Sequence, residues 1–107
     1  MNRFLRVIGF LAGILSATAA LAEGWPSRLI KVTIPFGAGS ATDVVPRLFF
    51  DRLAAELGQP IVIENRAGAG GTIGTGLVAK AEPDGYSILA HSSAFTIAPA
   101  IFPNLPF

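Results

Sequence analysis

Two glycine-rich loops, each set between a strand pattern and a helix pattern, constrain this sequence more than any other feature. Ile30, Val32, Ile34 and Phe36 alternate with Leu29, Lys31, Thr33 and Pro35. That is period two, which predicts a strand over 29–36. Pro35 has no N–H and belongs at the strand's end. Gly37-Ala38-Gly39-Ser40-Ala41-Thr42-Asp43 then reads as a loop. Val45, Phe49, Leu53 and Leu57 follow four apart, with Val44 and Leu48 beside them, and predict a helix with one apolar stripe. Arg47, Asp51, Arg52 and Glu56 occupy its other faces. Proline fits only the first turn of a helix, where its missing N–H had no partner, so Pro46 puts the N-cap at Thr42 or Asp43. Gly58 suits the position just past the helix, and Pro60 blocks its continuation.

The pattern repeats. Ile61-Val62-Ile63-Glu64 predicts a short strand, and Asn65-Arg66-Ala67-Gly68-Ala69-Gly70-Gly71 a second glycine-rich loop. Thr72 to Ala81 predicts a helix with Ile73, Leu77 and Ala81 on one face. Gly74 and Gly76 weaken it by about 1 kcal/mol each relative to alanine. In return they allow close approach to a sheet. Glu82-Pro83-Asp84-Gly85 is a turn, because proline presets φ and glycine accepts φ > 0. Tyr86 to Ala90 is a third strand, and His91 to Pro99 a third loop with room for one helical turn. Strands alternating with helices predict an α/β fold with a parallel sheet and right-handed crossovers. The loops 37–43, 65–71 and 91–96 then share the carboxyl edge of the sheet, where open α/β sheets bind ligands.

The first residues belong to another category. Arg3 and Arg6 precede an uncharged, mostly apolar run from Val7 to Ala22 that ends in Ala20-Leu21-Ala22. The run is shorter than the roughly 20 residues needed to span a bilayer. It has the charged start, apolar middle and small-x-small end of a cleaved secretory signal. Residues 1–22 are therefore expected to be a signal peptide, against the alternative of an uncleaved anchor. The expected location is the periplasm. Residues 23–107 are expected to form an incomplete α/β domain.

Composition removes several function classes. With no cysteine and a single histidine, a thiolate site, a disulfide scaffold and a zinc site are all excluded as expectations. Removing Arg3 and Arg6 takes the formal charge from +1 to −1. Nucleic acid is not an expected partner of such a chain, since phosphate binding needs clustered Lys and Arg. No cofactor and no metal are expected.

A glycine-rich loop feeding a helix N-terminus suits an anion, because free N–H groups and the helix dipole favour negative charge. Phosphate-binding signatures do not fit. Gly71 to Gly76 has the Walker A glycine spacing, but Leu77 stands where lysine is required. Ile73 replaces the third glycine of a dinucleotide fingerprint starting at Gly68. Gly74-Thr75-Gly76-Leu77-Val78-Ala79 matches a looser fingerprint, but it does not directly follow a strand.

Pro35-Phe36-Gly37-Ala38-Gly39-Ser40-Ala41-Thr42-Asp43 resembles the Pro-Phe-x-x-Gly-Gly-x-x-Asp segment of the tripartite tricarboxylate transporter substrate-binding proteins, the Bug or TctC family. Gly58-Gln59-Pro60 through Gly70-Gly71 is similar to that family's Gly-Gln-Pro-Val-Val-Val-Glu-Asn-Arg-Pro-Gly-Ala-Gly-Gly. Pro83-Asp84-Gly85-Tyr86 and Asn104-Leu105-Pro106-Phe107 resemble its Pro-Asp-Gly-Tyr and a later Leu-Pro-Tyr. The resemblance covers the first lobe region only. It implies a type II periplasmic-binding-protein fold, with residues 23–107 as the N-terminal part of the first α/β lobe of a solute-binding protein, an incomplete lobe with the second lobe absent. In that fold two α/β lobes close on an organic acid by a hinge. It further implies a monomeric receptor, not an enzyme, whose partners are a small organic acid and membrane transporter subunits.

Carried over by position, the resemblance assigns ligand contacts to Phe36, Gly37, Ala38, Gly39, Ser40, Asp43, Ser92 and Ser93. Ser40 stands where the family has its second glycine, and either offers a hydroxyl to the ligand or impedes a φ > 0 conformation. Ala67 replaces a proline, and Ala98 an asparagine. Other roles compete. Asp43 is a good helix N-cap. Arg66 either clamps a carboxylate or pairs with Glu64. His91 beside Ser92 suggests a nucleophile pair, but adjacent extended residues point to opposite faces and no third member is evident. Trp25 is read as packing where the chain joins the fold, and Phe49 and Phe50 as packing residues. The competing functions are a secreted α/β domain for a phosphorylated or nucleotide ligand, and a non-functional truncated product.

Overall fold

The computed structural model describes residues 24–107. The expected signal segment 1–22 and its cleavage point lie outside the described residues. Strands β1 (Ile30–Ile34), β2 (Ile61–Asn65) and β3 (Ser87–Leu89) form one sheet in the order β2-β1-β3. Both pairings are parallel, with Ile30 opposite Ile61, Ile34 opposite Asn65, and Thr33 opposite Leu89. All three strands therefore end at one edge, as the alternating pattern predicts. Helices α1 (Ala41–Leu57), α2 (Thr72–Ala79) and α3 (Ala94–Ile101) follow β1, β2 and β3 in turn.

β1 is central because it is the most apolar strand on its even-numbered side. Ile30, Val32 and Ile34 are fully buried. Val32 and Ile34 pack with Phe50 of α1, and Leu53, Ile61, Ile63 and Ile88 surround them. The odd-numbered side carries Lys31 and Thr33 and faces α2. There, Leu77 and Val78 border a hollow of about 320 Å³ shared with Lys31, Glu64 and Arg66.

The orientation of α1 differs from the predicted stripe. Val45, Leu48 and Phe49 are 66%, 70% and 60% exposed, whereas Phe50 and Asp43 are buried. The inward face is Asp43, Pro46, Phe50, Leu53 and Leu57, a spacing of three and four that serves a helix as well as strict fours. The helix also starts earlier than Pro46 suggests, with Ser40 as N-cap in place of Thr42 or Asp43. Pro46 thus sits in the second turn, where no N–H reaches back to the Thr42 carbonyl. The helix ends at Gly58, whose backbone is left-handed, as predicted.

α2 is likewise turned. Ile73 and Leu77, the predicted inner face, are about half exposed, while Thr72, Gly74, Thr75 and Gly76 are buried. Gly74 explains the choice. A methyl group there would come within 2.7 Å of the Arg66 carbonyl oxygen and 2.8 Å of Pro35 Cβ. The glycine face goes inward because only it lets the helix approach the backbone of the strand ends, as the sequence allows.

The segment after β3 holds an eight-residue helix, longer than the one helical turn expected within its loop. α3 runs through Pro99, which lies inside it as Pro46 lies inside α1. Ser40-Ala41 and Ser93-Ala94 both open a helix with proline six residues beyond the serine. Each proline removes one intrahelical bond; α1 continues to Leu57 beyond Pro46, whereas α3 ends at Ile101, shortly after Pro99. At the opposite edge of the sheet, the Tyr86 hydroxyl accepts the Ser27 N–H at 2.9 Å, and the Arg28 guanidinium lies 4.1 Å above the Tyr86 ring. Trp25 packs on the same ring, which ties the incoming chain to the Pro-Asp-Gly-Tyr turn. Among the described residues no helix is long and apolar enough to cross a membrane.

Candidate functional site at the carboxyl edge

The loop after β1 is held from within and from β2. Ser40 Oγ donates to the Gly37 carbonyl at 2.8 Å and lies 2.9 Å from Thr42 Oγ1. Ser40 has φ −71°, so its side chain does not strain the backbone; the left-handed position is Gly39, at φ +83°. Asp43 is 2% exposed and receives three donors. Gly39 N–H reaches Oδ2 at 2.8 Å, while Arg47 Nε and Asn65 Nδ2 reach Oδ1 at 2.9 and 2.8 Å. Asp43 thus reaches back to the loop from the third helical position and does not cap the helix.

Asn65 completes the brace. Its Nδ2 also donates to the Phe36 carbonyl at 3.0 Å, and its Oδ1 accepts Arg47 Nη2 at 2.6 Å. The Arg47 hydrogen bond, then those of Asn65 and the Gly39 amide, hold the Asp43 carboxyl well below the usual carboxylate range and outweigh its burial. The same pairing raises the Arg47 pKa. Neither Arg47 nor Asn65 was among the sequence-predicted site residues. The available signals were the acid and base four apart on a helix, and a polar amide ending an apolar strand.

The loop after β2 is a run of four residues with positive φ, Gly68 to Gly71, of which Ala69 at +46° has a side chain. Such a run is accessible to glycine and costly for most other residues. It brings Gly71 beneath His91: a methyl group there would lie 2.8 Å from His91 Nε2 and 3.6 Å from Phe36 Cζ. The Phe36 and His91 rings meet edge to face with centroids 5.0 Å apart, and the Phe95 ring lies tilted against His91 with centroids 5.5 Å apart. Phe36, Gly71 and His91 therefore join the three loops at one point.

Gly37, Ala38 and Gly39 are exposed at the tip of the first loop, and Ser40 and Phe36 are half-buried behind them. The amides of Ala38, Ala41 and Thr42 donate to no protein atom among the described residues. Ser92 and Ser93 open α3 across the edge: Ser92 Oγ accepts the Ala94 N–H at 3.3 Å, and the Ser93 carbonyl accepts Thr96 Oγ1 at 2.8 Å. The His91 ring addresses the Ser92 main chain and not its hydroxyl, so the two do not form a nucleophile pair. Arg66 pairs with Glu64 at 3.1 Å. The 320 Å³ hollow lies on the α2 face of the sheet and touches these loops only through Arg66. A hollow needs walls on several sides, and the carboxyl edge presents one wall. We therefore take the loop edge, whose amides are unpaired, as the candidate site. No cluster of His, Cys, Asp and Glu suited to a metal occurs among the described residues.

Comparisons with known proteins agree with this architecture. BugT of Bordetella pertussis is 43% identical over 110 residues, a match that spans 100% of this chain and 34% of BugT. A UPF0065 protein of the same organism is 44% identical over 104 residues, 96% of this chain and 32% of that protein. The chain thus spans about a third of the length of these curated relatives. Among solved structures, one described as a periplasmic transporter superposes with a TM-score of 0.73 at 47% identity, covering 78% of this chain and 28% of that one. MatC from Rhodopseudomonas palustris with bound malate gives 0.58 at 48% identity, and an R. palustris protein with adipate 0.59 at 42%; each covers 61% of this chain and 22% of the other. A family profile described as tripartite tricarboxylate transporter family receptor, TctC, matches residues 45–107. That match takes in more than half of the sequence, and the chain belongs to the tripartite tricarboxylate transporter receptor family.

Proposed function

We propose that the protein is a periplasmic receptor that captures a small carboxylate-bearing solute and delivers it to the membrane subunits of a tripartite tricarboxylate-type transporter, without chemical turnover. The observation that carries this reading is the braced first loop, with the Ala38, Ala41 and Thr42 amides unpaired at the start of α1. Amides fixed in place around a helix N-terminus suit a carboxylate, whose charge the helix dipole favours. Relatives of the same fold solved with malate and with adipate support the ligand class.

In this reading Phe36 to Ser40 line the ligand from one side, with Ser92 and Ser93 beside them. Asp43 acts through the loop, because its carboxylate is already filled by three donors. These loops form one wall of a cleft that closes by a hinge. Export relies on the segment ending Ala20-Leu21-Ala22, with cleavage leaving Glu23 first.

A thermal-shift panel on the full gene product tests the ligand class. Malate, succinate and adipate are set against ATP and NAD. A ligand at 100 times its Kd adds about 2.7 kcal/mol of stability. Stabilisation by at least one dicarboxylate and by neither nucleotide is expected. Stabilisation by a nucleotide alone overturns the reading. Intact mass of periplasmic material checks the cleavage: retention of residues 1–22 in a membrane fraction contradicts export by a cleaved signal.

A further inference from the structure

The geometry points to His91 as a ligand-binding residue that donates a hydrogen bond from Nε2 to the bound acid and so helps set which acids are accepted. The inference rests on the receptor reading above.

The ring is held on several sides. Phe36 meets it edge to face and Phe95 packs at 58°. Gly71 lies beneath, where even a methyl group would be 2.8 Å from Nε2. A side chain held this way is fixed before a ligand arrives, so little rotamer entropy remains to be lost on binding.

Its proton is placed by the next residue. Nδ1 lies 2.9 Å from the Ser92 amide nitrogen and 3.2 Å from the Ser92 carbonyl oxygen. One nitrogen cannot satisfy both. The amide hydrogen has a fixed direction and points at Nδ1, so Nδ1 accepts. The neutral ring then carries its proton on Nε2.

That Nε2–H donates to no atom of the described residues. Among the described residues no fully buried side-chain nitrogen or oxygen lacks a partner, so the unpartnered Nε2 of the half-buried His91 keeps some exposure. It stands where the three loops meet, beside the Gly68–Gly71 run. A donor with a set direction at that point can engage a second oxygen of an acid whose first carboxylate sits on the α1 amides. Selectivity between acids then follows, because a site with a fixed donor discriminates against analogues that leave it unpaired.

Two substitutions separate this role from packing. His91→Gln keeps an N–H near the Nε2 position, whereas His91→Asn keeps a polar group near Nδ1 and removes the Nε2 donor. Succinate titrated calorimetrically into the full gene product should bind the Gln variant within about threefold of wild type. Binding to the Asn variant should fall about tenfold or more, as for a lost hydrogen bond to a charged group. A long-range proton–nitrogen NMR correlation on the wild-type protein gives a second readout, with His91 assigned by its loss in the Gln variant. It should show the Nε2–H tautomer and a shift at Nε2 on saturation with succinate. An Nδ1–H tautomer, an unmoved Nε2, or equal affinity of the Gln and Asn variants overturns the role of His91 while leaving the receptor reading intact. If neither succinate nor any acid of the panel binds the wild-type protein, the reading itself fails and the inference with it.

Discussion

Asn65 Nδ2 stands 2.8 Å from Asp43 Oδ1, joining the end of β2 to the first turn of α1 across 22 residues of sequence. This bond lets a loop of small residues present fixed amides. Gly37, Ala38 and Gly39 have no side chain that could hold the loop themselves. The brace is built from outside, through a carboxylate that takes the Gly39 amide on one oxygen and Arg47 with Asn65 on the other.

The first prediction concerns acid stability. Asp43 has its native pKa lowered below the ordinary 3.8, mainly by Arg47 and then by Asn65 and the Gly39 amide. A group lowered in the native state stabilises the fold above its unfolded value. That contribution falls away as pH drops below 3.8 through the depressed native value. Asp43→Asn should lower the thermal midpoint at neutral pH and should flatten its decline in the acid range. A variant whose midpoint falls in parallel with wild type from pH 5 to pH 2 would show that Asp43 is not the titrating brace.

The second concerns two glycines of different kind. Gly74→Ala places a methyl group 2.7 Å from the Arg66 carbonyl oxygen. Overpacking against backbone costs about 1–3 kcal/mol, more than the helix propensity that alanine returns. At Gly37 the same methyl group meets nothing within 4 Å, and its φ is not in the left-handed region. Denaturant melts should therefore show Gly74→Ala destabilised and Gly37→Ala within about 0.5 kcal/mol of wild type, as for surface changes away from special features. Under the proposed function, Gly37→Ala should nonetheless weaken succinate binding, since it thickens the loop tip.

The third concerns Ser40. Its hydroxyl spans the loop to the Gly37 carbonyl, and its backbone is extended and not left-handed. Glycine at this position brings no relief of strain and removes the bond. Both Ser40→Ala and Ser40→Gly should lose about 0.5–1.5 kcal/mol of stability. Neutral behaviour of the glycine variant would show that the serine bond is worth nothing. A loss of succinate affinity beyond the loss of stability would place the hydroxyl on the ligand.

The strands and their common edge were legible because β-branched residues alternate with polar ones over Ile30–Ile34 and recur at Ile61–Ile63. What the pattern did not reveal was the direction each helix faces. Phe49 and Phe50 are adjacent, so α1 has an aromatic ring on either side of any stripe drawn through it. The choice falls to Phe50 because that rotation also carries Asp43 and Arg47 together to Asn65 of β2. For α2 the deciding contact is steric, Gly74 against Pro35 and the Arg66 carbonyl, which an apolar stripe cannot express. α3 was read as one turn at most because Pro99 reads as a helix stop, although a proline inside a helix removes only one bond and the helix runs on to Ile101. The brace and His91 needed distances between segments far apart in sequence.

The last prediction follows from those helix directions. Val45, Leu48 and Phe49 on α1 are each at least 60% exposed, and Ile97 and Ile101 on α3 are at least half exposed. Soluble monomers seldom expose a contiguous apolar patch beyond a few hundred Å². β2 and β3 both lie at open edges of the three-stranded sheet. Open edges invite pairing with further chains. The segment 24–107, expressed alone, should therefore bind a hydrophobic dye and self-associate in a concentration-dependent way. Val45→Lys combined with Leu48→Glu removes the two most exposed of these side chains and spares Phe49, whose ring meets the core residue Phe50. The pair should reduce dye binding and association while leaving the far-ultraviolet circular dichroism unchanged. A segment that is monomeric and silent to the dye before any substitution would mean that the exposed α1 face is covered in solution by a packing of these same residues different from the one described here.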